Sequence, residues 1–170
     1  MIKNPPTLEF CLGAAHLTWK DVVWAVERGL FGWRDVQKFA LVNLDNKRSL
    51  TFDIDNQIAG LGKNDASEIM RLAQSAAFLE CESEDIPARW RFLLLKWVYE
   101  NRDSFAHPLG VVEELYAEFG YPEDMESFVS FLPPSDGWEP MKHSASENEA
   151  RLLEKWRVYL ETQRETLGKA

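Results

Sequence analysis

Trp19, Val22, Val26 and Leu30 recur fourteen residues later as Trp33, Val36, Ala40 and Leu44, each set spaced i, i+3, i+7 and i+11. That spacing lays one apolar stripe along a helix, so residues 17–44 predict two short amphipathic helices packed as a hairpin. The polar positions repeat as well: Trp19-Lys20-Asp21-Val22 is answered by Trp33-Arg34-Asp35-Val36. Thr18 is a suitable N-cap for the first helix, with Asp21 three residues on as an acidic capping-box partner. Gly29 and Gly32 bracket the turn, and Gly32 starts the second helix.

The same periodicity carries through most of the chain. A short helix is predicted from about Thr7, after Pro5-Pro6. Residues 45–62 are less regular. Leu50, Phe52 and Ile54 alternate with Thr51, Asp53 and Asp55 as in a strand, yet no second strand of comparable quality exists to pair with it, so irregular structure or a short helix over 56–61 is preferred. A helix capped by Asn64 or Asp65 follows to about Leu79, with Ile69, Leu72, Ala73 and Ala76 on one face. Trp90, Leu93, Leu94, Trp97 and Val98 fall at i, i+3, i+4, i+7 and i+8, and Phe92 and Leu95 make residues 88–101 apolar almost all round. That helix is predicted to be central to the core, with Pro87 in its first turn. Pro108 and Pro122 begin two more, the first ended by Gly120.

Residues 133–145 form a proline-bearing surface connection to a final helix, which starts at Ser144 or Ser146 because Ser144 with Glu147 and Ser146 with Glu149 are overlapping capping boxes. Leu152, Leu153, Trp156, Tyr159 and Leu160 on that helix would be an exposed apolar patch if it stood alone, so it is predicted to fold back on the domain. The expectation is a single all-α domain over residues 1–170, a compact bundle of seven or eight short helices.

Charge narrows the function classes. The formal net charge is -9, and residues 80–126 hold twelve acids against four bases, whereas residues 1–79 are balanced at nine each. A surface of this kind repels nucleic acid and anionic lipid and attracts a basic partner. No apolar run approaches the length of a membrane span and the N-terminus lacks a signal-peptide layout, so a cytoplasmic protein is expected. Cys11 and Cys81 suggest neither a disulfide framework nor a zinc site. No cofactor or metal is expected.

Enzyme signatures are absent: there is no glycine-rich phosphate loop, no GxSxG and no HExxH, and His16, His107 and His143 lie in separate segments. Asp53-Ile54-Asp55-Asn56 opens like a calcium loop, but Ile58 and Asn64 stand where that loop needs glycine and glutamate. The acids are the feature with functional reach. Glu80, Glu82, Glu84 and Asp85 precede one helix, and Glu123, Asp124 and Glu126 start another, where the macrodipole rewards negative charge by about 0.3–1 kcal/mol each. Helix capping accounts for those seven. Glu114 and Glu118 lie at i, i+4 on one face with Glu113 beside them, and no lysine or arginine occurs between residues 103 and 141. Such a face is either solvated or a docking surface. Trp138, in the loop beside it, is a candidate anchor.

Leu17-Thr18-Trp19-Lys20-Asp21-Val22, Gly29-Leu30-Phe31-Gly32-Trp33, Val98-Tyr99-Glu100-Asn101-Arg102 and Tyr116-Ala117-Glu118-Phe119-Gly120-Tyr121-Pro122 resemble a family of small uncharacterised bacterial proteins, a domain of unknown function. The resemblance covers most of residues 8–133 and rests on packing and turn phrases. In general character such proteins are similar to immunity proteins encoded beside bacterial polymorphic toxins. That implies a non-enzymatic binding protein neutralising a basic toxin domain, with Glu80, Glu82, Glu84, Asp85, Glu113, Glu114, Glu118 and Trp138 as partner-binding residues. A helical scaffold or adaptor domain is the alternative, and an enzyme with a dispersed site the third reading.

Overall fold

The computed structural model describes residues 2, 4–45, 47, 49–80 and 85–168. The fold is all-α, and no strand occurs among the described residues. Among the described residues eight α-helices follow one another: α1 Leu8–Ala14, α2 Trp19–Glu27, α3 Trp33–Asn43, α4 Phe52–Gly60, α5 Ala66–Leu79, α6 Ile86–Glu100, α7 Pro108–Glu118 and α8 Ala145–Leu167. Short 3-10 turns at Lys63–Asp65, Arg102–Ser104, Glu123–Phe128 and Pro140–Lys142 link them. The chain divides into two compact units, residues 6–86 and residues 1–5 with 87–170.

The unit of residues 6–86 is built around Trp19. Thr18 caps α2 as its sequence predicts: its hydroxyl accepts from the Asp21 amide at 3.3 Å, and the Asp21 carboxylate accepts from the Thr18 amide at 2.9 Å. Asp35 does the same for Gly32 at the start of α3. The turn between the helices uses Gly29 at φ 69°, the left-handed region that glycine enters at least cost. The two helices nevertheless meet each other less than they meet their neighbours, since α2 packs chiefly on α5, and α3 on α4 and α5. The inward stripe is correspondingly turned. Ala25 and Phe39 are buried, whereas Val26, Leu30 and Leu44 are only half-buried.

Residues 52–60 are a helix, which starts earlier and runs longer than the short helix expected over 56–61. Thr51 and Asp55 decide it. The Thr51 hydroxyl donates to Asp55 at 2.9 Å across one turn, and Asp55 receives the Trp19 indole N–H at 2.9 Å, so two polar residues of the apparent strand are drawn inward as a satisfied pair.

In the other unit α6 is the most buried element, with Trp90, Phe92, Leu93, Leu94, Leu95 and Val98 all inside. The Trp97 indole donates to the Asn4 carbonyl at 2.8 Å, which ties the N-terminal residues to this helix. Pro122 is followed by a 3-10 turn rather than an α-helix, still burying Met125 and Phe128. α8 starts after Ser144, whose hydroxyl accepts from the Glu147 amide at 3.2 Å. It packs on the Glu123–Phe128 turn through Trp156 and Tyr159. The surface connection before it is interrupted by the short turn at Pro140–Lys142.

Candidate functional site

The predicted binding residues fall into three environments. Glu80 and Asp85 belong to the unit of residues 6–86, and Glu113, Glu114, Glu118 and Trp138 to the other. Glu82 and Glu84, like Cys81, lie outside the described residues.

Glu80 is a structural anion. Its carboxylate accepts from the backbone N–H groups of Trp19 at 2.9 Å and Lys20 at 3.2 Å, so it satisfies the open N-terminus of α2 and sits at the positive end of that helix dipole. Its charge was expected to act at the start of the helix that follows it in sequence. Folding instead brings it to a helix sixty residues earlier. Burial pushes its carboxyl up from the ordinary value, against the two amide bonds that pull it down. Asp55 is likewise raised by burial, opposed by Thr51, Trp19 and Asn43. A carboxyl whose folded-state value is raised contributes stability that is present at low pH and is lost as pH climbs through the folded value. Melting of the wild-type chain, compared with an Asp55→Asn, Glu80→Gln double variant, is therefore expected to gain stability as pH falls towards the ordinary values of 4.5 for Glu80 and 3.8 for Asp55. Parallel profiles for the two proteins would show that these carboxyls do not titrate against burial.

Trp138 does not stand free. Its indole N–H donates to Asn148 at 2.7 Å, and its ring stacks on His143 with centroids 3.7 Å apart. The Arg151 guanidinium lies 5.4 Å from the ring centroid, and the same arginine pairs with Asp136 at 2.6 Å. Arg151 and then Lys155 hold the Asp136 carboxyl far below the usual carboxylate range. This cluster fastens the connection after residue 133 to α8 and occupies the polar handle of the tryptophan.

The acidic face is built by α7 and the turn after it. Val112, Leu115 and Tyr116 are buried, which leaves Glu113 half-buried and Glu114 and Glu118 exposed. Glu113 accepts from the Ser130 hydroxyl. Within Glu123–Phe128 the burial of Met125 and Phe128 turns Glu123, Asp124 and Glu126 outward. Asp124 is paired with Arg91 at 2.8 Å. Burial, and after it the nearby Glu126 carboxylate, raise the ionisation of the Tyr116 hydroxyl. Glu114 and Glu123 form no ion pair with a lysine or arginine among the described residues.

Two aromatic residues that the periodicity did not single out lie in the same region. α7 ends in a Schellman arrangement: Gly120, at φ 77°, donates to the Ala117 carbonyl, and Tyr121 donates to the Tyr116 carbonyl at 2.8 Å. Tyr121 itself stands at φ 61°, uncommon for a residue with a side chain. It is 62% exposed, and Phe131 is 60% exposed. The signal in the sequence is Gly120-Tyr121-Pro122, which by itself announces only a helix stop.

A family model described as an uncharacterized protein conserved in bacteria (DUF2247) matches residues 8–164. The chain belongs to this family. The match takes in α1 to α7 and almost all of α8, so the final helix is as much a part of the DUF2247 pattern as the opening repeat. No curated protein and no solved structure matches the chain. Among the described residues, no helix is long and apolar enough to cross a membrane.

Proposed function

We propose that this chain is a non-enzymatic cytoplasmic binding protein whose α7 face docks a basic protein, in the manner of an immunity protein covering the cationic active site of a toxin domain. The observation that carries the reading is the run of acids on α7, Glu114 and Glu118 exposed with Glu113 half-buried beside them, continuing into the exposed Glu123 and Glu126, in a stretch with no lysine or arginine between residues 103 and 141. Like charges on one helix face cost a few tenths of a kcal/mol per pair. A face that keeps them is suited to steering a cationic partner, because its field raises the rate of encounter before any contact forms. The reading centres on the α7 residues, and two of the expected binding residues leave it: Glu80 is engaged by a helix N-terminus and Trp138 by Asn148 and His143.

The test begins with affinity capture from the native host and a growth-rescue assay against the captured protein. Association is then followed for a variant carrying Glu113→Lys, Glu114→Lys and Glu118→Lys. The rate constant at low salt is expected to fall by about tenfold or more and its salt dependence to flatten. Unchanged kinetics and salt slope in this triple variant would remove the α7 face from consideration.

A further inference from the structure

The acidic face supplies long-range attraction but no anchor, and Trp138, the aromatic expected in that role, is engaged by its own domain. We propose that Tyr121 and Phe131, resting on Tyr116, form the anchor, and that it receives an arginine side chain of the basic partner.

Both exposed rings touch the same buried one. The Tyr121 ring meets Tyr116 edge to face with centroids 5.2 Å apart and planes at 81°, and Phe131 lies 6.2 Å from Tyr116 at 55°. Tyr116 is only 4% exposed, so the pair stands on a fixed floor. The Schellman arrangement accounts for contact between Tyr121 and Tyr116, since such ends commonly close with an apolar contact between those two positions. It does not account for leaving most of Tyr121 in water, and no helix stop involves Phe131. Exposed aromatic rings that are held in place are what an interface hot spot requires, because little ordering entropy is lost when a partner covers them.

The occupant follows from charge. Glu113 accepts from Ser130, the neighbour of Phe131 in sequence, and the exposed Glu126 carboxylate acts on the hydroxyl of the floor residue, so negative charge stands beside the aromatic patch. A planar guanidinium stacks on an aromatic face while its N–H groups reach carboxylates at the edge, whereas a lysine ammonium is a compact, strongly hydrated point charge. The chain uses this stacking elsewhere, with Arg28 3.8 Å from the ring centroid of Trp24 and Arg102 5.0 Å from that of Tyr99.

This assignment rests on the docking reading above, and its test separates the two. The probes are a nine-residue arginine peptide and its lysine counterpart, titrated across a salt series into the full-length wild-type chain, a Tyr121→Asn, Phe131→Ser variant and the triple lysine variant of α7. Asparagine tolerates the left-handed backbone at position 121, and Phe131→Ser alone serves as a second variant with no such demand. The wild type is expected to bind the arginine peptide roughly three- to tenfold more tightly than the lysine peptide. The double aromatic variant should lose that difference and keep the salt slope, Phe131→Ser alone should lose part of it, and the α7 variant should lose the slope with both peptides. Equal affinities in the wild type, or a difference that survives in the aromatic variants, would overturn the anchor while leaving the acidic face standing. A salt slope unaltered by the α7 variant would overturn the docking reading instead.

Discussion

Replacing Trp19 by alanine is expected to destabilise the unit of residues 6–86 by about 3–5 kcal/mol, the range for emptying a buried aromatic site. Three kinds of interaction end on this residue. Its side chain has no exposed surface and meets Phe39 edge to face at 4.9 Å, its indole N–H is bonded to Asp55, and its backbone N–H is bonded to Glu80. Only the first two are lost on substitution. Asp55 then keeps Thr51 but forfeits the indole, and a buried carboxylate that loses a donor costs more than the bond contributed while it was made. Trp19→Phe separates the terms, because it retains most of the ring packing and removes only the N–H, for an expected loss of about 1–3 kcal/mol. Chemical denaturation followed by the fluorescence of the remaining tryptophans measures both. If Trp19→Phe matches the wild type, the indole-carboxylate bond contributes nothing and the unit is held by packing alone.

The parts of this architecture that were legible in the sequence are those where one local rule suffices. Thr18 with Asp21 and Ser144 with Glu147 close the capping boxes their spacing announces, Pro108 opens α7 and Gly120 closes it. Where a residue's role depends on a distant partner, periodicity is not enough. Leu50, Phe52 and Ile54 alternate as in a strand, but residues 52–60 are helical, with Asp55 drawn inward by an indole thirty-six residues away. Glu80 looked like one of a run of acids, and the groups that hold it lie at the start of α2. The halves of the repeat also part company, since Trp19 is fully buried and Trp33 only half-buried, although both open the same phrase. A stripe specifies which face turns inward. It does not specify what is packed there.

Removing residues 141–170 is expected to abolish cooperative unfolding of the unit that contains α6 and α7, rather than merely to shorten the chain. α8 supplies Trp156, fully buried, and Tyr159, 7% exposed, and both rest on Phe128, with centroids 6.2 Å away for Trp156 and 5.1 Å for Tyr159. Trp156 also meets Tyr99 edge to face at 5.1 Å, so one helix covers aromatic residues from both α6 and the Glu123–Phe128 turn. The Tyr159 hydroxyl accepts from Arg91 at 3.3 Å, and burial pushes its ionisation up to about 12. Leu152, Leu153 and Leu160 add partial burial, while Glu154 and Arg157 pair with each other on the outer side. At roughly 1.5–3 kcal/mol for each large apolar side chain, the loss is a large share of the 5–15 kcal/mol by which a domain is ordinarily stable. Hydrogen exchange of the α6 amides reads the outcome directly: protection should fall throughout that helix. Trp156→Phe gives the finer measure. Its buried indole N–H has no hydrogen-bond partner among the described residues, so the substitution vacates volume but also removes an unsatisfied donor, and it should cost less than Trp19→Phe. A truncated chain whose α6 amides remain as protected as in the full chain would make α8 an independent tail and its apolar stripe a surface open to a partner.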